Sequence, residues 1–540
     1  MPDSENLEEE NEPLEVPVEE GDSTTNTGRA EAENLLNRLL YKGVLPRYAF
    51  PTDVATFYVF DNARSTYYRK IFEYAPSQGL TTALTQYAPG KDIWIDGRLW
   101  TSGAIYSPIA GERYRSWENR RLYFECSSCQ FACTEALLEG QRGERRDCPA
   151  CRSGSSFGPA KVWVRPPGFA HPSYIPPVTA PEDQPARSYA TRAKLTTQAG
   201  SETEWNIING HLKLYSTREH LLVTNRGPRN EGYTYCARCG AIEPTAMPNR
   251  TATGMHEKPF PDDRDPNCPG GRTSSGIVLG TDFPSDILLI SVTVEHPVAL
   301  RPGLLCTEAA LRTLCEALSF ASTQLLRLEA GEIQAEFRPA LTEGGSTGLE
   351  AEIYLYDTLP GGAGFSPRVG RFEMELFNRA LSILECCPAD CDRSCYRCLR
   401  SYKNKFEHDL LDRKLAAELL RYLIFDENPQ LSRDREETST NKLFEDLMRQ
   451  SIPGVEVSRN FSIDVPGIGS VCAPILLSTE GEDRVIVAVN HPLTSQYLSD
   501  PILSEVQETS GDVQVFLADE LLITRNLPAV SSRIMDEISV

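Results

Sequence analysis

The residues best equipped for chemistry are cysteines, 16 in a chain of 540. The first group is Cys126-Ser-Ser-Cys129 and Cys148-Pro-Ala-Cys151, with 18 residues between the pairs. Two residues between thiols lets a tight turn aim both sulfurs at one ion, and two such turns complete a tetrahedron. A spacer of this length is the zinc-ribbon pattern. Cys133 is a fifth thiol nearby that could replace Cys129.

The second group opens with Cys236-Ala-Arg-Cys239, followed by the dispersed candidates His256 and Cys268. Three cysteines and one histidine make an ordinary zinc ligand set, with a surface histidine as the alternative for His256. The third group packs Cys387, Cys391, Cys395 and Cys398 into one short loop, with Cys386 as a spare. Four thiolates suit structural zinc or an iron–sulfur cluster, and spacing leaves both open. The other two groups favour zinc, so up to three zinc ions are expected. Each set fills four positions and leaves none for water, so the metals point to architecture and not to catalysis. Cys306, Cys315 and Cys472 sit in apolar surroundings and are expected to be buried core thiols.

The elements that must position these groups follow from composition and pattern. Residues 1–28 hold ten acids and no lysine or arginine, which leaves −12 of the net charge of −22 for residues 29–540. That tail is too polar to bury a core and is expected to be disordered. A small β-rich region follows at 29–125, with a helix at 31–40, then the ribbon at 126–151. Residues 152–205 are proline-rich and read as a linker or wrapping segment. A second zinc module covers 206–280, with strands at 211–215 and 220–224.

Residues 281–426 have the order of an α+β domain: strand 286–294, helix 308–328, strands 332–338 and 351–356, helices 371–384 and 411–425. A polar linker is expected at 427–441. The last domain, 442–540, reads helix, three strands, helix, strand, helix. The fold class is therefore a multidomain α+β chain. No apolar run is long enough to span a membrane, and the N-terminus is acidic where an export signal is basic. A cytoplasmic protein with reduced thiols is the expectation.

Further residues make a family visible. Residues 354–365 (YLYDTLPGGAGF) and 387–413 (CPADCDRSCYRCLRSYKNKFEHDLLDR) resemble the MrfA-type zinc-binding domain of certain superfamily 2 helicases. Segments at 45–51, 86–91, 95–97 and 282–286 extend the resemblance over roughly residues 35–425. The chain has no GxxxxGK[ST] loop and no DEAD-type box. Gly361-Gly362-Ala363-Gly364 lacks the lysine and hydroxyl residue that hold phosphates and magnesium, and reads as a tight turn. A motorless chain of this kind resembles the DrmB family of DISARM antiphage systems. The resemblance implies a DNA-binding complex whose ATPase is a separate DrmA-like superfamily 2 helicase, and no small-molecule substrate.

Around the third cluster, Arg393, Tyr396, Arg397, Arg400, Tyr402, Lys403 and Lys405 interleave cations with aromatics, as phosphate contact and base stacking require. A second patch runs through Arg113, Arg115, Trp117, Arg120, Arg121 and Tyr123. The last domain resembles a PD-(D/E)xK nuclease fold, but Ala473 or Pro474, Ala488 and Asn490 stand where its metal-binding acids and lysine belong. It is read as a degenerate, non-catalytic domain. The alternative is a nuclease using Asp464, Glu480 and Asp483, or Glu352 and Asp357. The last two are an odd number apart on one strand, hence on opposite faces.

Overall fold

The computed structural model describes residues 53–179, 188–197, 203–246, 254–339, 348–450, 454–465, 468–479, 484–494, 501–509 and 513–538. The acidic tail and the helix expected at 31–40 lie outside the described residues.

In chain order, the elements that matter here begin with strands β1 (Val54–Phe60), β2 (Arg121–Glu125), β3 (Ala132–Ala136), β4 (Lys161–Val164), β5 (Leu212–Asn225) and β6 (Thr273–Thr293). Helix α1 (Leu305–Leu326), strands β7 (Ile333–Pro339) and β8 (Glu350–Asp357), and helices α2 (Met374–Glu385) and α3 (Arg413–Phe425) follow. Strands β5 and β6 pair antiparallel without a break over 14 positions, from Leu212↔Val292 to Asn225↔Leu279. The two short strands expected at 211–215 and 220–224 are therefore one. The polar run Ser216-Thr217-Arg218-Glu219, which imitates a turn, stays extended against Asp286 to Leu288 and Ser285.

The strand expected at 286–294 is likewise the second half of β6. Its first half contains Gly276, Gly280 and Pro284, residues that usually interrupt strands. Pro284 falls between the stretch where β6 pairs β4, at 278–279, and the stretch where it pairs β8, from 287 onward. One side of β6 thus has no partner strand there to miss an N–H.

Around this spine lies one sheet of 11 strands, to which β2, β3, β4, β7 and β8 all belong. The segments 126–151, 152–205, 206–280 and 281–426, separable in sequence, share that sheet. Residues 152–205 do not link two bodies: they supply β4 and the strand Phe169–Ala170, and bury Trp163, Val164, Phe169 and His171. Proline punctuation hid that role because the strands are only four and two residues long.

Successive β6 side chains point to opposite faces. Leu288, Ile290 and Val292 join the core beneath α1, α2 and α3. Ile287 and Leu289 face a second core with Phe57, Tyr354 and Tyr356. The helix expected at 371–384 is α2, and a short helix, Phe365–Gly370, precedes it.

Helix α4 (Arg433–Gln450) begins inside the stretch 427–441 that reads as a polar linker. Its first turns carry no apolar stripe. They are held instead by Arg435, which donates to both carboxylate oxygens of Glu520 at 3.2 and 2.8 Å and to Glu418 of α3 at 2.7 Å. His491 Nε2 meets the same Glu418 at 2.8 Å. Strands β9 (Val455–Val465), β10 (Gly469–Thr479) and β11 (Arg484–Asn490), helix α5 (Pro501–Thr509) and strand β12 (Val513–Asp519) then form a four-stranded sheet in the order β9-β10-β11-β12. Only β11 and β12 are parallel.

A buried ion network joins the wrapping segment to the α1 layer. Arg312 of α1 donates to both oxygens of Glu336 on β7 at 2.7 and 2.8 Å, and both residues are buried. Arg192 adds bonds to Glu336 at 3.1 Å, to Glu316 at 2.9 Å, and to Glu407. Removing one member of a buried pair strands the other charge, at a cost of about 3–5 kcal/mol. Glu336→Leu is expected to lower stability by that amount, read as a fall in the urea midpoint of the full chain. A variant as stable as the parent would show that the network adds little.

Candidate metal centres

The first four thiols are placed by β2 and the turns beyond it. Cys126 follows directly on β2, and its amide donates to Phe131 O at 2.8 Å, closing the first turn. Cys126 Sγ lies 3.7 Å from Cys151 Sγ, and Cys129 Sγ lies 3.6 Å from Cys148 Sγ. Backbone amides of Ser128 and Cys129 point at the Cys126 sulfur, as those of Ala150 and Cys151 point at Cys148. The two turns are thus copies of one geometry. Cys133 sits on β3 opposite Phe124, outside the group, and burial pushes its thiol up to about 12.

In the second group, chain distance is overcome by a two-residue ladder that pairs His256 with Cys268. Cys236 Sγ and Cys268 Sγ are 3.8 Å apart, and His256 Nε2 is 3.1 Å from Cys239 Sγ. His256 Nδ1 lies 2.9 Å from Gly254 O, so the N–H belongs on Nδ1 and the lone pair of Nε2 faces the thiols. The half-buried histidine is accordingly aimed at the thiols and could serve as the fourth ligand.

The third group fills the connection between α2 and α3. Sulfur separations are 3.6 Å for Cys387–Cys395 and 3.7 Å for both Cys391–Cys398 and Cys395–Cys398. Amide hydrogen bonds from Cys391 and Ala389 hold the half-buried Cys387 thiol down at about 6. Arg413, at the start of α3, ties the loop to the helix ends: Nε donates to Cys391 O at 2.6 Å and Nη1 to Leu384 O and Glu385 O at 3.0 Å. Cys386 is exposed and outside the group.

Thiolates on a tetrahedron with ~2.3 Å metal–sulfur bonds stand about 3.8 Å apart. The spacings of neighbouring sulfurs in the three groups, 3.6–3.8 Å, fit a single ion of that size. An iron–sulfur cluster interposes several irons between its thiolates and needs them farther apart. Among the described residues these are the groups of Cys, His, Asp and Glu that could hold a metal. Cys306 and Cys315 are buried as expected, but Cys472 is exposed, because its place on β10 turns it away from buried Val471 and Ala473.

Other candidates have structural roles. The glycine-rich turn after β8 is already occupied by an anion of its own. Asp357 is fully buried, and its carboxylate accepts hydrogen bonds from the amides of Ala363, Phe365 and Ser366 at 2.7–3.0 Å and from Ser366 Oγ at 2.6 Å. Glu352 is buried against Arg338, whose Nε donates to it at 2.6 Å. In the second patch, Arg113 stacks over Tyr106 and Phe260 and Arg120 over Trp117, while Tyr123 is buried with its hydroxyl on Glu125. These groups face packing partners and do not form an open basic face. Asp464 is exposed on β9, and Glu480 and Asp483 lie outside the described residues.

The cation–aromatic group around the third cluster is at the surface. Tyr396 and Tyr402 are 72 % and 78 % exposed, and Arg393, Arg397 and Lys403 are exposed as well. Arg400 is half-buried, with Nε donating to Ser394 Oγ at 2.9 Å. Lys405 lies over the Tyr402 ring, 4.2 Å from its centroid. The surface also gathers three residues that sequence spacing did not connect to it, Lys91, Tyr189 and Phe406. Tyr189 and Phe406 pack at 4.3 Å between centroids, and Lys91 lies 5.1 Å over Tyr189. Only the adjacency of Lys405 and Phe406 could have hinted at part of it.

Residues 314–399 match the family model of the MrfA Zn-binding domain, a span that includes most of α1, β7, β8, α2 and the third cluster. The chain is 31% identical over 435 residues to the Druantia protein DruE of Escherichia coli (strain UMEA 4076-1). That alignment covers 75% of this chain and 23% of DruE, so the chain spans about a quarter of that relative's length. Among solved structures, it is similar to the DUF1998 helicase MrfA bound to DNA, at 10% identity and a TM-score of 0.33, covering 69% of this chain and 34% of the other. A second structure of MrfA gives 10% identity and a TM-score of 0.23, with 66% and 34% covered.

Elemental analysis of the purified chain is expected to give three equivalents of zinc and no iron. Replacing Cys126 and Cys129, Cys236 and Cys239, or Cys387 and Cys391 by serine should each remove one equivalent, and Cys133→Ser or Cys386→Ser none. Iron in the product, or zinc lost from Cys133→Ser, would contradict the ligand sets.

Proposed function

We propose that this chain is a zinc-scaffolded, non-motor subunit of a DISARM-type antiphage complex, of the DrmB kind, which contacts DNA and works beside a superfamily 2 helicase that supplies ATP hydrolysis. The observation that carries the reading is the third four-thiol centre, within the matched MrfA Zn-binding domain and ringed by exposed arginines, lysines and tyrosines. The three centres hold zinc as fixed scaffolding: four protein ligands leave no position at which a bound water would be activated.

The glycine-rich turn supports a non-motor role. A phosphate cradle offers free backbone amides to its ligand, whereas here Asp357 consumes them. The 435-residue similarity to DruE, which reaches only a quarter of that protein, suits a module that operates alongside other activities. Among the described residues no helix is long and apolar enough to cross a membrane. A cytoplasmic setting agrees with the reduced thiols that the metal sites require.

For the C-terminal domain, a degenerate PD-(D/E)xK-like fold is supported by its element order and by the mixed sheet β9-β10-β11-β12. Buried Ala473 and Ala488 stand where metal-binding side chains would have to reach out. A magnesium-dependent nuclease assay on the full chain tests the competing reading, and cleavage lost on Asp464→Asn would establish it.

Exposed cations that neutralise phosphates release counterions, so affinity falls with salt in proportion to their number. Alanine at Arg397, Arg400 and Lys403 together is expected to weaken DNA binding and flatten the plot of log affinity against log salt by about 2–3. An unchanged slope would remove this surface from the DNA contact. The chain alone is expected to hydrolyse no ATP and to co-purify from its host with a helicase. Hydrolysis by the chain itself would overturn the non-motor assignment.

A further inference from the structure

Two lysines from distant parts of the chain share one small surface with three aromatic rings. Lys405 lies over Tyr402 and Phe406, at 4.2 and 4.9 Å from their centroids, and Lys91 lies over Tyr189, which packs on Phe406. Among the described residues neither lysine, nor Lys403 or Arg397, has a carboxylate partner. Burial and the nearby Lys405 charge both push the Lys91 ammonium down, the expected result of holding like charges together.

The rings are also left open. Tyr402 is 78 % exposed, Phe406 56 %, and Tyr189 37 %. Tyr396, 72 % exposed, adjoins the same loop through an edge contact with His408 at 5.4 Å. Their supports are rigid. Asn404 is buried, donates to Glu316 of α1 at 2.8 Å and to Leu399 O at 2.9 Å, and accepts from the Ser401 amide at 2.8 Å. Glu407, next to Phe406, is held by Arg192. The loop that presents the rings is therefore fastened to the α1 layer.

Exposed rings on a rigid support beside uncompensated cations match one chemistry. Phosphates satisfy the lysines, and bases stack on the rings only if they are not already stacked in a duplex. We infer that Tyr402, Phe406 and Tyr189, with Lys91 and Lys405, form a stacking platform for single-stranded DNA across the seam between the N-terminal segment and the third metal centre. This deepens the DNA contact proposed above and rests on it. It names the form of DNA, and it recruits Lys91, Tyr189 and Phe406, which lie outside the cation–aromatic run at the cysteines.

The test is fluorescence anisotropy of the full chain with three probes: an oligothymidylate, an abasic oligonucleotide of the same length and charge, and a duplex. The oligothymidylate is expected to bind more tightly than the abasic strand. Tyr402→Ala with Phe406→Ala should weaken the oligothymidylate about 5- to 100-fold, leave the abasic strand unchanged, and keep the salt slope. Tyr402→Trp should retain binding. Lys91→Ala with Lys405→Ala should weaken both strands and reduce the slope by about 1.4. Equal affinity for oligothymidylate and abasic strand, or an aromatic variant that weakens both alike, overturns the platform. Absence of binding to all three probes by the parent chain would instead overturn the DNA contact itself.

Discussion

The long antiparallel ladder between β5 and β6 is the interaction on which the rest of the molecule depends. Fourteen consecutive residue pairs fix its register. A slip of one residue would exchange the Leu288, Ile290, Val292 face for the Ile287, Leu289 face and expose both cores. At one end β6 emerges from the second metal centre, five residues after Cys268. At the other it pairs β8 and supports the helices that carry the third. Through β4 and β2 the same sheet reaches the first. The three centres are therefore fixed to a common frame, although their ligands span residues 126 to 398.

Metal ions bound at the candidate centres would do locally what the ladder does globally. Each candidate centre lies where the backbone leaves regular structure: after β2, in the small two-stranded His256–Cys268 ladder, and in the loop from α2 to α3. These segments have little regular structure of their own, although Phe131 and Phe157 pack beside the first centre. Four ligands on one ion offset the ordering cost of such loops, because binding free energy becomes folding free energy. Arg413 and Asn404 extend that order outward, tying the third loop to α1, α2 and α3. Rigidity at the surface, including the exposed rings, follows from these ties.

Charge is partitioned in a comparable way. Acids outnumber bases, yet several of them are committed inside: Glu336 to Arg312 and Arg192, Glu418 to Arg435 and His491, and Asp357 to backbone amides. Such pairs join elements distant in sequence, since a buried charge must find a partner wherever the fold provides one. Among the described residues the lysines around Tyr189 and Phe406 have no such partner. The net charge of −22 thus coexists with a local surface suited to a polyanion.

The sequence by itself determined the ligand chemistry of the first and third centres, because closely spaced thiols in a turn can reach one ion under almost any fold. It also determined the strand–helix order of residues 281–426 and of the last domain, where apolar periodicity is strong. Periodicity failed where side chains are polar for reasons outside their own segment. The start of α4 is helical because Arg435 meets Glu520 and Glu418, and Ser216 to Glu219 stay extended because β6 lies alongside. Choosing between Cys387 and Cys386, confirming the approach of His256 to Cys239, exposing Cys472, and gathering Lys91, Tyr189 and Phe406 were left to the tertiary structure. Each depends on the direction of a side chain relative to residues far along the chain. Local spacing cannot encode that direction, whereas a sheet of fixed register can impose it.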